Sequence, residues 1–375
     1  MFGWLARRYP VYKARTEEER EAIYRFRYEV YLEELNDHHA AEHDRRRLRQ
    51  EEDEKPYTTL LYTGSPARIT GSVRVRTWGP GEVPAKDFEA LSLHLFPGIE
   101  KLRVAQVGRL VIRSNLRGRL VMPSLLWGGY EFLAGEALVD LAFVDCLPGI
   151  AAHYIRLGAL PYAGRLIDLG YGPGVPLLLI PSDYERLARL RSPVAPLPAR
   201  YFGPGQRPPL DLSPFRHLIE GDPVPVEFDR GRIWREVERR LLGDDRPPPS
   251  VLAGLSRRSI ARMAAGGFLL RVRAGTLVIR EEVEEREVYL ILDGTFEVMR
   301  GDRRVAVLET GDVFGEIAFL TEAGRRTASV QARSDGLLLV LRRRFLDELT
   351  RADPRAGARL LKNLRRFAAA RLAQL

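Results

Sequence analysis

The spacing of apolar residues changes along the chain and predicts two folded parts. From residue 268 onward, short runs of alternating apolar and polar residues are separated by turns such as Ala274-Gly275 and Asp293-Gly294. This alternation is typical of antiparallel strands joined by tight turns. About eight such strands with even spacing predict an eight-stranded antiparallel β-roll (jelly roll), followed by two helices. Seven of the strands are expected at 268–273, 276–280, 287–292, 295–300, 303–308, 327–332 and 336–341.

The last helix is predicted from its first residues and from an apolar stripe. Asp353-Pro354 places an N-cap residue before a proline at the first helical position, which is a common way for a helix to begin. Apolar residues then recur at helical spacing and predict one buried face. They are Leu360, Leu361, Leu364, Phe367, Ala368, Leu372 and Leu375.

The N-terminal part mixes helical and strand periods around one expected central sheet, so it is predicted to be α/β or α+β. Thr16 and Glu19 form a capping box, and the helix that they start carries Ile23, Phe26 and Val30 on one face. Strands are expected at 57–62, 69–76, 104–112, 138–144 and 175–180, and helices at 123–133 and 149–157.

A proline-rich stretch lies between the two parts, with RPPPS at its end. Prolines this dense prevent a continuous helix or a central strand. We therefore expect residues 194–250 to be a linker with one helix around 232–242. The predicted domains are then 1–193 and 251–375.

Composition excludes several protein classes. The 375 residues are 45% hydrophobic and 29% charged, which is typical of a globular protein. A single cysteine, Cys146, excludes a disulfide within the chain. Acidic residues interrupt the most apolar stretch, 121–144, and the first ten residues contain no signal peptide, so a cytoplasmic location without a transmembrane segment is expected.

The net charge of +9 has two interpretations. Only 5 of the 59 basic residues are lysines, which leaves 54 arginines. Such a chain binds a polyanion, or it has an arginine-heavy solvated surface that reflects codon bias. Of the two interpretations, the solvated surface is favoured over nucleic-acid binding.

Residues 314–332, FGEIAFLTEAGRRTASVQA, are the most informative segment. Gly315 and Glu316 follow a strand and open a helical turn, whose free N–H groups suit a phosphate. Arg326, immediately before the next strand, adds a charge-assisted contact to the phosphate, which an arginine side chain can make in a bidentate manner. Because a carboxylate would repel phosphate, Glu316 is expected to accept a hydrogen bond from a sugar hydroxyl.

These residues resemble the phosphate-binding cassette of cyclic nucleotide-binding domains, and the resemblance covers residues 251–375. It implies that Arg326 pairs with the cyclic phosphate, that Glu316 binds the ribose 2′-hydroxyl and that Thr327 assists. The ligand is then cAMP or cGMP, and the alternative is a roll that has lost its ligand and serves for docking. The implied pocket residues are Gly315, Glu316, Ile317, Ala318, Arg326, Thr327 and Ala328.

Transcription factors of this family continue into a helix-turn-helix after the last helix. This chain stops at Leu375, so we expect no DNA partner. The domain is instead expected to be an input module that acts on residues 1–193.

Three arginines stand out in the N-terminal part. Arg27 lies at the edge of the apolar helix stripe, where a charge either snorkels to solvent or pairs in a site; taken alone, snorkelling is favoured. Arg74, within Gly71-Ser72-Val73-Arg74-Val75, taken alone, is expected to be solvated. Arg109 is flanked by apolar residues in a predicted central strand, where a charge needs a partner.

Together these segments resemble the Gcn5-related N-acyltransferase (GNAT) fold, in its branch of autoinducer synthases and N-acyl amino acid synthases. The segments 24–31, 71–75, 107–111 and 154–158 are similar to motifs of that branch. The resemblance implies a mixed sheet flanked by helices and an amine that attacks a thioester. The implied catalytic residues are Arg27, Arg74, Arg109 and Tyr154, and the implied acyl-donor-binding residues are Leu110, Val111, Ile112, Arg117, Gly118 and Arg119. Tyr154 is the candidate acid for the leaving thiolate, or else a core tyrosine.

Two departures from that family affect the expected chemistry. Gln106 stands where autoinducer synthases carry a glutamate, and an amide cannot act as a general base. Leu120 and Met122 replace small residues of the loop that cradles the pyrophosphate of coenzyme A. A donor carried by acyl carrier protein needs less pyrophosphate binding, and its acidic surface would dock on Arg113, Arg117 and Arg119, unless these form a solvated turn.

The sequence thus predicts a cyclic-nucleotide-regulated N-acyltransferase that uses an acyl-loaded carrier protein or acyl-CoA. The alternatives are a protein lysine acetyltransferase that uses acetyl-CoA and a non-enzymatic cyclic nucleotide sensor. A cluster of histidines at His38, His39 and His43 is expected to be a polar loop rather than a metal site.

Overall fold

The computed structural model of the chain forms two compact units, which are treated separately below. The first unit comprises residues 1–146, 153–163 and 176–222, and the second comprises 147–152, 164–175 and 223–375. The structure describes residues 10–34, 43–44, 46–113, 121–162, 166–168, 173–220, 226–243, 248–283, 287–321 and 325–372.

One mixed sheet dominates the N-terminal part of the chain, as the strand periods predicted. Its strands follow the order β1-β4-β5-β6-β7-β10-β8, with β9 paired to β10. The central pairs β4–β5 and β5–β6 are antiparallel, whereas β6 and β7 run parallel. The strands are β1 (Val11–Lys13), β4 (Thr58–Ser65), β5 (Arg68–Trp78), β6 (Val104–Ile112), β7 (Leu141–Cys146), β8 (Leu160–Pro161), β9 (Ile167–Asp168) and β10 (Pro173–Leu179), and a small hairpin pairs β2 (His43–Asp44) with β3 (Arg47–Leu48).

Helices cover both faces of this sheet. The first helix, α1 (Glu17–Tyr28), starts at the predicted capping box, in which the Thr16 hydroxyl accepts from the Glu19 amide and the Glu19 carboxylate from the Thr16 amide. Its apolar stripe packs on one face of β4, and α3 (Val121–Glu131) packs on the other. The remaining helices are α2 (Ala85–Ala90), α4 (Pro148–Leu157), α5 (Tyr184–Arg189) and α6 (Arg216–Glu220).

The predicted linker is not an extended linker in the structure. Val194, Leu197 and Phe202 pack with Trp127 and Tyr130, and Phe215 enters a second core cluster of the same unit. The later part forms β11 (Val226–Glu227) and α7 (Arg230–Leu241), which belong to the second unit. Proline breaks regular structure, but it does not prevent the apolar residues between the prolines from packing against a core.

The second unit contains the predicted antiparallel roll, built from two facing sheets. One sheet follows the order β11-β12-β19-β14-β17, and the other follows β13-β18-β15-β16. The eight strands after β11 are β12 (Phe268–Val272), β13 (Leu277–Ile279), β14 (Glu287–Asp293), β15 (Phe296–Arg300), β16 (Arg303–Leu308), β17 (Val313–Phe314), β18 (Ser329–Ala332) and β19 (Gly336–Arg342).

Helices close the roll and bury its apolar core. The last helix, α11 (Pro354–Leu372), begins at the predicted cap, where Asp353 Oδ1 accepts from the Ala356 amide. Leu360 and Leu364 lie in the core, but Leu372 is 56% exposed, so the buried stripe ends before the helix does. The other helices are α8 (Arg257–Ala265), α9 (Glu316–Leu320) and α10 (Arg343–Ala352). No helix in the described part of the chain is long and apolar enough to cross a membrane.

Candidate functional site

A pocket opens in the roll of the second unit, at the turn between β17 and α9. It encloses about 530 Å³ of empty space, part of it open to solvent. Its walls are mainly apolar, and its charged groups are Glu316, Arg326 and Arg371. The other lining residues are Ile279, Val298, Val305, Ala306, Phe314, Gly315, Ile317, Ala318, Thr327, Ala328 and Val330.

The two charged residues predicted from the cassette are both buried at this pocket. Glu316 is 1% exposed and Arg326 is 2% exposed. Burial raises the pKa of the Glu316 carboxyl, and the charges of Arg371 and Arg326 oppose that shift only in part. The Arg326 Nη1 donates to the Gly315 carbonyl oxygen at 2.9 Å, which fixes the guanidinium at the pocket wall.

Gly315 is required by the close approach of its neighbours. Its φ is 81°, in the left-handed region. A Cβ at this position would lie 2.5 Å from Arg326 Nη1 and 2.8 Å from the Glu287 carbonyl oxygen. Any larger residue would therefore displace the arginine from the position where it faces the pocket.

Arg371 is a pocket residue that the sequence did not indicate. It lies near the end of α11, and its Nη1 is 3.2 Å from both carboxylate oxygens of Glu316. An arginine on a solvated helix face has no sequence signature of its own, so the pairing is visible only in three dimensions.

A second group of charged side chains lies on one face of the sheet in the first unit. Asp53 Oδ1 accepts from Arg27 Nη1 at 2.8 Å and lies 3.4 Å from Arg74 Nη1. Gln50 Oε1 accepts from Arg74 Nη1 at 3.0 Å and from Arg109 Nε at 2.9 Å. The three arginines that the sequence singled out are thus joined through two polar residues.

Burial in this cluster shifts several pKa values. Burial alone would raise the pKa of Asp53, but the charges of Arg27 and Arg74 and its hydrogen bonds outweigh it, so the pKa lies below its usual value. Burial lowers the pKa of Arg74 to about 10; Asp53 opposes the shift, and three neighbouring arginines favour it. The carboxylate therefore stays ionised and holds the cations together.

Arg27 and Arg74 are both more buried than expected for each taken alone. Arg27 is completely buried, as is Asp53, so it pairs in a cluster rather than snorkelling. Arg74 is 8% exposed rather than solvated. Among the described residues, Arg27 Nε and Nη2 have no hydrogen-bond partner.

The polar face continues along β5 to a second set of contacts. Arg76 Nη1 pairs with Asp87 Oδ1 at 2.7 Å, and its Nε donates to Gln106 Oε1 at 2.9 Å. Gln106 Nε2 in turn lies 3.4 Å from Asp145 Oδ2. We call the nine residues of both sets the polar strip: Arg27, Gln50, Asp53, Arg74, Arg76, Asp87, Gln106, Arg109 and Asp145.

The strand β6 changes its geometry beside this strip. Its parallel pairing with β7 ends at Val107 and Val144, although both strands continue. Its pairing with β5 shifts register between Gly108 and Val111. Arg109 has a φ of 53°, a conformation that non-glycine residues seldom adopt. β-Bulges of this kind often re-aim side chains next to active sites.

Comparison with known proteins identifies one of these two sites. Residues 269–353 match the family model of the cyclic nucleotide-binding domain. The C-terminal part of the chain is a cyclic nucleotide-binding domain. This supports cAMP or cGMP as a regulatory ligand, and it agrees with the roll and with the cassette predicted from the sequence.

Curated relatives match over limited segments. The chain is 37% identical over 78 residues to "Pycsar effector protein PaPycTIR" of Pseudomonas aeruginosa, which covers 21% of this chain and 25% of that protein. It is 27% identical over 135 residues to "Pycsar effector protein BcPycTIR" of Burkholderia cepacia, over 36% and 41% of the two chains. The cAMP-dependent protein kinase regulatory subunit of Schizosaccharomyces pombe is 30% identical over 126 residues, which cover 33% of this chain and 27% of the subunit. The matches thus span less than half of each relative.

Solved structures also match only part of the chain. A cyclic nucleotide-binding domain from Methylobacillus flagellatus is 21% identical, with a TM-score of 0.31, over 38% of this chain and 78% of that one. The Thermus thermophilus catabolite activator protein is 26% identical, with a TM-score of 0.30, over 33% and 58%. TM-scores this low carry no inference about the chain.

The predicted site residues fall into three groups. All seven predicted residues of the cyclic nucleotide-binding domain line its pocket. In the first unit, Leu110, Val111 and Ile112 lie on β6, and Tyr154 is half-buried on α4; their roles stay predictions. Arg117, Gly118 and Arg119 lie outside the described residues, as do His38 and His39.

Arg113, the third predicted docking arginine, is held inside the unit. Its Nη2 pairs with Glu29 Oε2 at 3.1 Å, and its guanidinium stacks over the Phe26 ring. Among the described residues, no group of three or more histidine, cysteine or acidic side chains could hold a metal ion.

Sequence reasoning missed half of the polar strip. Gln50 precedes a short helical turn, Asp53 lies within it, and Asp145 is the second-last residue of β7. Single polar residues outside a periodic element have no pattern to reveal them. The arginines were noticed only because they interrupt apolar runs.

Proposed function

We propose that the chain is a cyclic-nucleotide-regulated N-acyltransferase, which moves an acyl group from a thioester to an amine. The cyclic nucleotide-binding domain provides the regulation, and the first unit provides the chemistry. Two of the relatives are named effector proteins. A third relative is the regulatory subunit of a kinase. These names support a cyclic nucleotide domain that is joined to a functional partner.

The observation that carries the acyl-transfer proposal is the separation of β6 from β7. Where parallel strands part, the backbone groups on their facing edges lose their ladder partners and become available to a ligand. A thioester inserted there would have its carbonyl polarised by a strand N–H, as in other acyl-transfer sites. The residues 110–112, beyond the Arg109 bulge, would hold the acyl donor.

The polar strip supports an amine acceptor with polar groups. Four arginines face three aspartates in the strip, so cations outnumber anions when all are ionised. The Nε and Nη2 groups of Arg27 are buried donors without partners in the described part of the chain, and buried donors favour an acceptor oxygen. An acceptor with a carboxylate or another anionic group would satisfy them.

Two alternatives share parts of this proposal. A protein lysine acetyltransferase would use the same sheet with acetyl-CoA, but Leu120 and Met122 disfavour a pyrophosphate cradle. A non-enzymatic sensor would need only the cyclic nucleotide-binding domain and a docking surface. The three functions differ in which thioester the chain uses as acyl donor, because the sensor would use none.

The test is transfer from a defined donor. The full chain is incubated with an acyl-loaded carrier protein or acetyl-CoA and a set of acceptors: amino acids, amines and a lysine peptide. Free thiol and N-acylated product are measured with and without cAMP or cGMP. We expect thiol release that depends on the amine and is abolished in Arg109→Ala. Arg68→Ala, an exposed arginine on the same sheet, is the matched control and should keep full activity.

Each negative result has a defined meaning. Release with acetyl-CoA and a lysine peptide alone would favour the acetyltransferase. If no donor releases thiol, in a protein that still binds cyclic nucleotide, the non-enzymatic sensor is the remaining alternative.

A further inference from the structure

Gln106 leaves the proposed acyl transfer without an obvious proton acceptor on β6, because its side-chain amide cannot act as a base. We propose that the carboxylate of Asp145, on the neighbouring strand, accepts the proton that the attacking amine must lose. This inference rests on the proposed acyltransferase function. It identifies a residue that sequence reasoning did not single out.

The position of Asp145 follows from the strand register. The pairs Gln106–Phe143 and Val107–Val144 are the last recorded steps of the parallel ladder. Because side chains alternate along a strand, Asp145 faces the same side of the sheet as Gln106 and Gly108. Asp145 therefore lies where the two strands separate, on the face that carries the polar strip.

The space around this position is open. Apart from Gly108 itself and its two chain neighbours, no described residue has an atom within 4 Å of a Cβ added at this position. Gly108 is paired with Arg74 across the sheet, so the opening adjoins the arginine cluster. Gly108 thus leaves space beside the arginine cluster that a group of the acceptor amine could occupy.

One oxygen of Asp145 is free for a ligand. Asp145 Oδ2 is near the Gln106 amide nitrogen, at 3.4 Å. Asp145 Oδ1 is buried and has no hydrogen-bond partner in the described part of the chain. A buried carboxylate oxygen without a donor is costly, and an approaching ammonium or amine would supply the missing N–H.

The surroundings of Asp145 favour the exchange of a proton near neutral pH. Burial raises its pKa to about 6, and the hydrogen bond from Gln106 and the charge of Arg76 only partly offset this. Arg76 is itself paired with Asp87. On the same strand, burial, aided by the Asp145 charge, raises the pKa of the Cys146 thiol to about 12. A base is most effective when its pKa lies near the working pH.

The transfer balances in atoms and protons. An acceptor ammonium first gives one proton to solvent and becomes the neutral amine. The amine nitrogen then forms a bond to the thioester carbonyl carbon, and its second proton passes to Asp145 Oδ1. The C–S bond breaks, and the leaving thiolate takes a proton from Asp145, directly or through water, which returns the carboxylate. The products are an amide and a thiol.

The experiment compares pH profiles of the full chain. With one donor and one amine that wild type uses, kcat/KM is calculated at each pH for the concentration of neutral amine, which removes the ionisation of the substrate from the profile. This kcat/KM of wild type should rise with pH through about 6. Asp145→Asn should lower kcat/KM by about 100- to 10,000-fold, as removal of a general base does, and should abolish the rise near pH 6. Cys146→Ser, at the next position of the same strand, is the matched control and should keep the wild-type profile.

A second variant tests whether the rate lost in Asp145→Asn is due to the missing carboxylate rather than to a disturbed fold. The double variant Gln106→Glu/Asp145→Asn moves the carboxylate to the neighbouring strand and should regain at least tenfold of the lost rate. Folding of each variant is checked by thermal unfolding and by cyclic nucleotide affinity.

The outcomes separate this inference from the proposed function. An active wild type whose Asp145→Asn variant stays within threefold at every pH would overturn the role of Asp145 and leave acyl transfer intact. A flat wild-type profile between pH 5 and 8 would do the same. A wild type that transfers from no thioester would overturn both.

Discussion

Arg326 is buried at the pocket of the cyclic nucleotide-binding domain and is the expected partner of the cyclic phosphate. Replacing Arg326 by alanine leaves a buried phosphate unpaired, which costs about 2–4 kcal/mol. We expect cyclic nucleotide affinity to fall roughly 30- to 1,000-fold by calorimetry. Arg325→Ala is the matched control: this neighbouring arginine is half-exposed and pairs with Glu282. Affinity should change less than threefold there, and equal losses in both variants would contradict the assignment.

Asp145 also predicts a pH-dependent stability. Its pKa of about 6 lies above the ordinary value of 3.8, so the folded protein binds the proton more tightly than the unfolded chain does. Ionised Asp145 therefore lowers the free energy of unfolding. This loss is absent below the pKa of Asp145 in the unfolded chain, grows as the pH rises, and is complete above its pKa in the folded protein. At neutral pH it reaches about 3 kcal/mol.

The measurement for Asp145 is denaturant unfolding at several pH values. Asp145→Asn should be more stable than wild type at pH 7.5, and the gap should shrink steadily toward pH 4.5. A gap that does not change with pH would mean that the carboxyl is not held in its raised state. Greater stability with lost activity is the usual trade-off at a functional site.

For single residues, the residue type and its neighbours in sequence predicted that some side chains lie in a site, but not which partners they contact. Arg109 was noticeable because a charge in an apolar strand needs a partner. Its partner, Gln50, is far away in sequence and lies in a polar segment, where one amide looks like any other. Arg27 taken alone favours snorkelling, because the sequence does not show that Asp53 folds beneath it; only the resemblance to acyltransferases placed it in a site.

Among the elements, α11 offers the clearest test of the core. Leu364 is 2% exposed and packs in the roll. Leu364→Ala should destabilise the second unit by about 2–5 kcal/mol, from lost burial and the cavity that remains. Leu372→Ala, at a position 56% exposed on the same helix, should change stability by less than about 0.5 kcal/mol. Equal effects on denaturant unfolding would contradict the observed burial.

The elements were largely predictable because period and turn chemistry are local. The strands of the roll alternate at period two, with glycines of positive φ at Gly275, Gly294 and Gly301 between them. Capping also fixed the starts of α1 and α11. The proline-rich stretch was misjudged because its density of breakers hides single apolar residues, such as Leu197 and Phe202, that pack on a distant core.

For the whole molecule, the two units suggest a sensor and an output. The structure assigns residues up to 222 to the first unit and residues from 223 to the second, apart from two short segments. The segment that was expected to be a spacer is therefore divided between two cores. Each part of this segment is therefore packed within its own unit and is not a loose chain.

We therefore predict that cyclic nucleotide changes the acyltransferase reaction. A ligand shifts an equilibrium only by its differential affinity for the two states, and a typical coupling of about 1–3 kcal/mol changes donor or acceptor affinity roughly 5- to 150-fold. Linkage requires the reciprocal effect, so saturating acyl donor should change cyclic nucleotide affinity by the same factor. Titrating the nucleotide with and without donor measures that factor.

We expect the coupling to act through Arg371. It is the α11 residue that pairs with Glu316 at the pocket, so nucleotide that binds Glu316 changes the partner of the last helix. Arg371→Ala should bring the coupling factor close to one, whereas Arg366→Ala, exposed on the same helix, should leave it unchanged. Equal nucleotide affinity with and without donor in wild type, together with unchanged turnover on adding nucleotide, would mean that the two units are merely tethered. A coupling that survives in Arg371→Ala would instead move its origin away from α11.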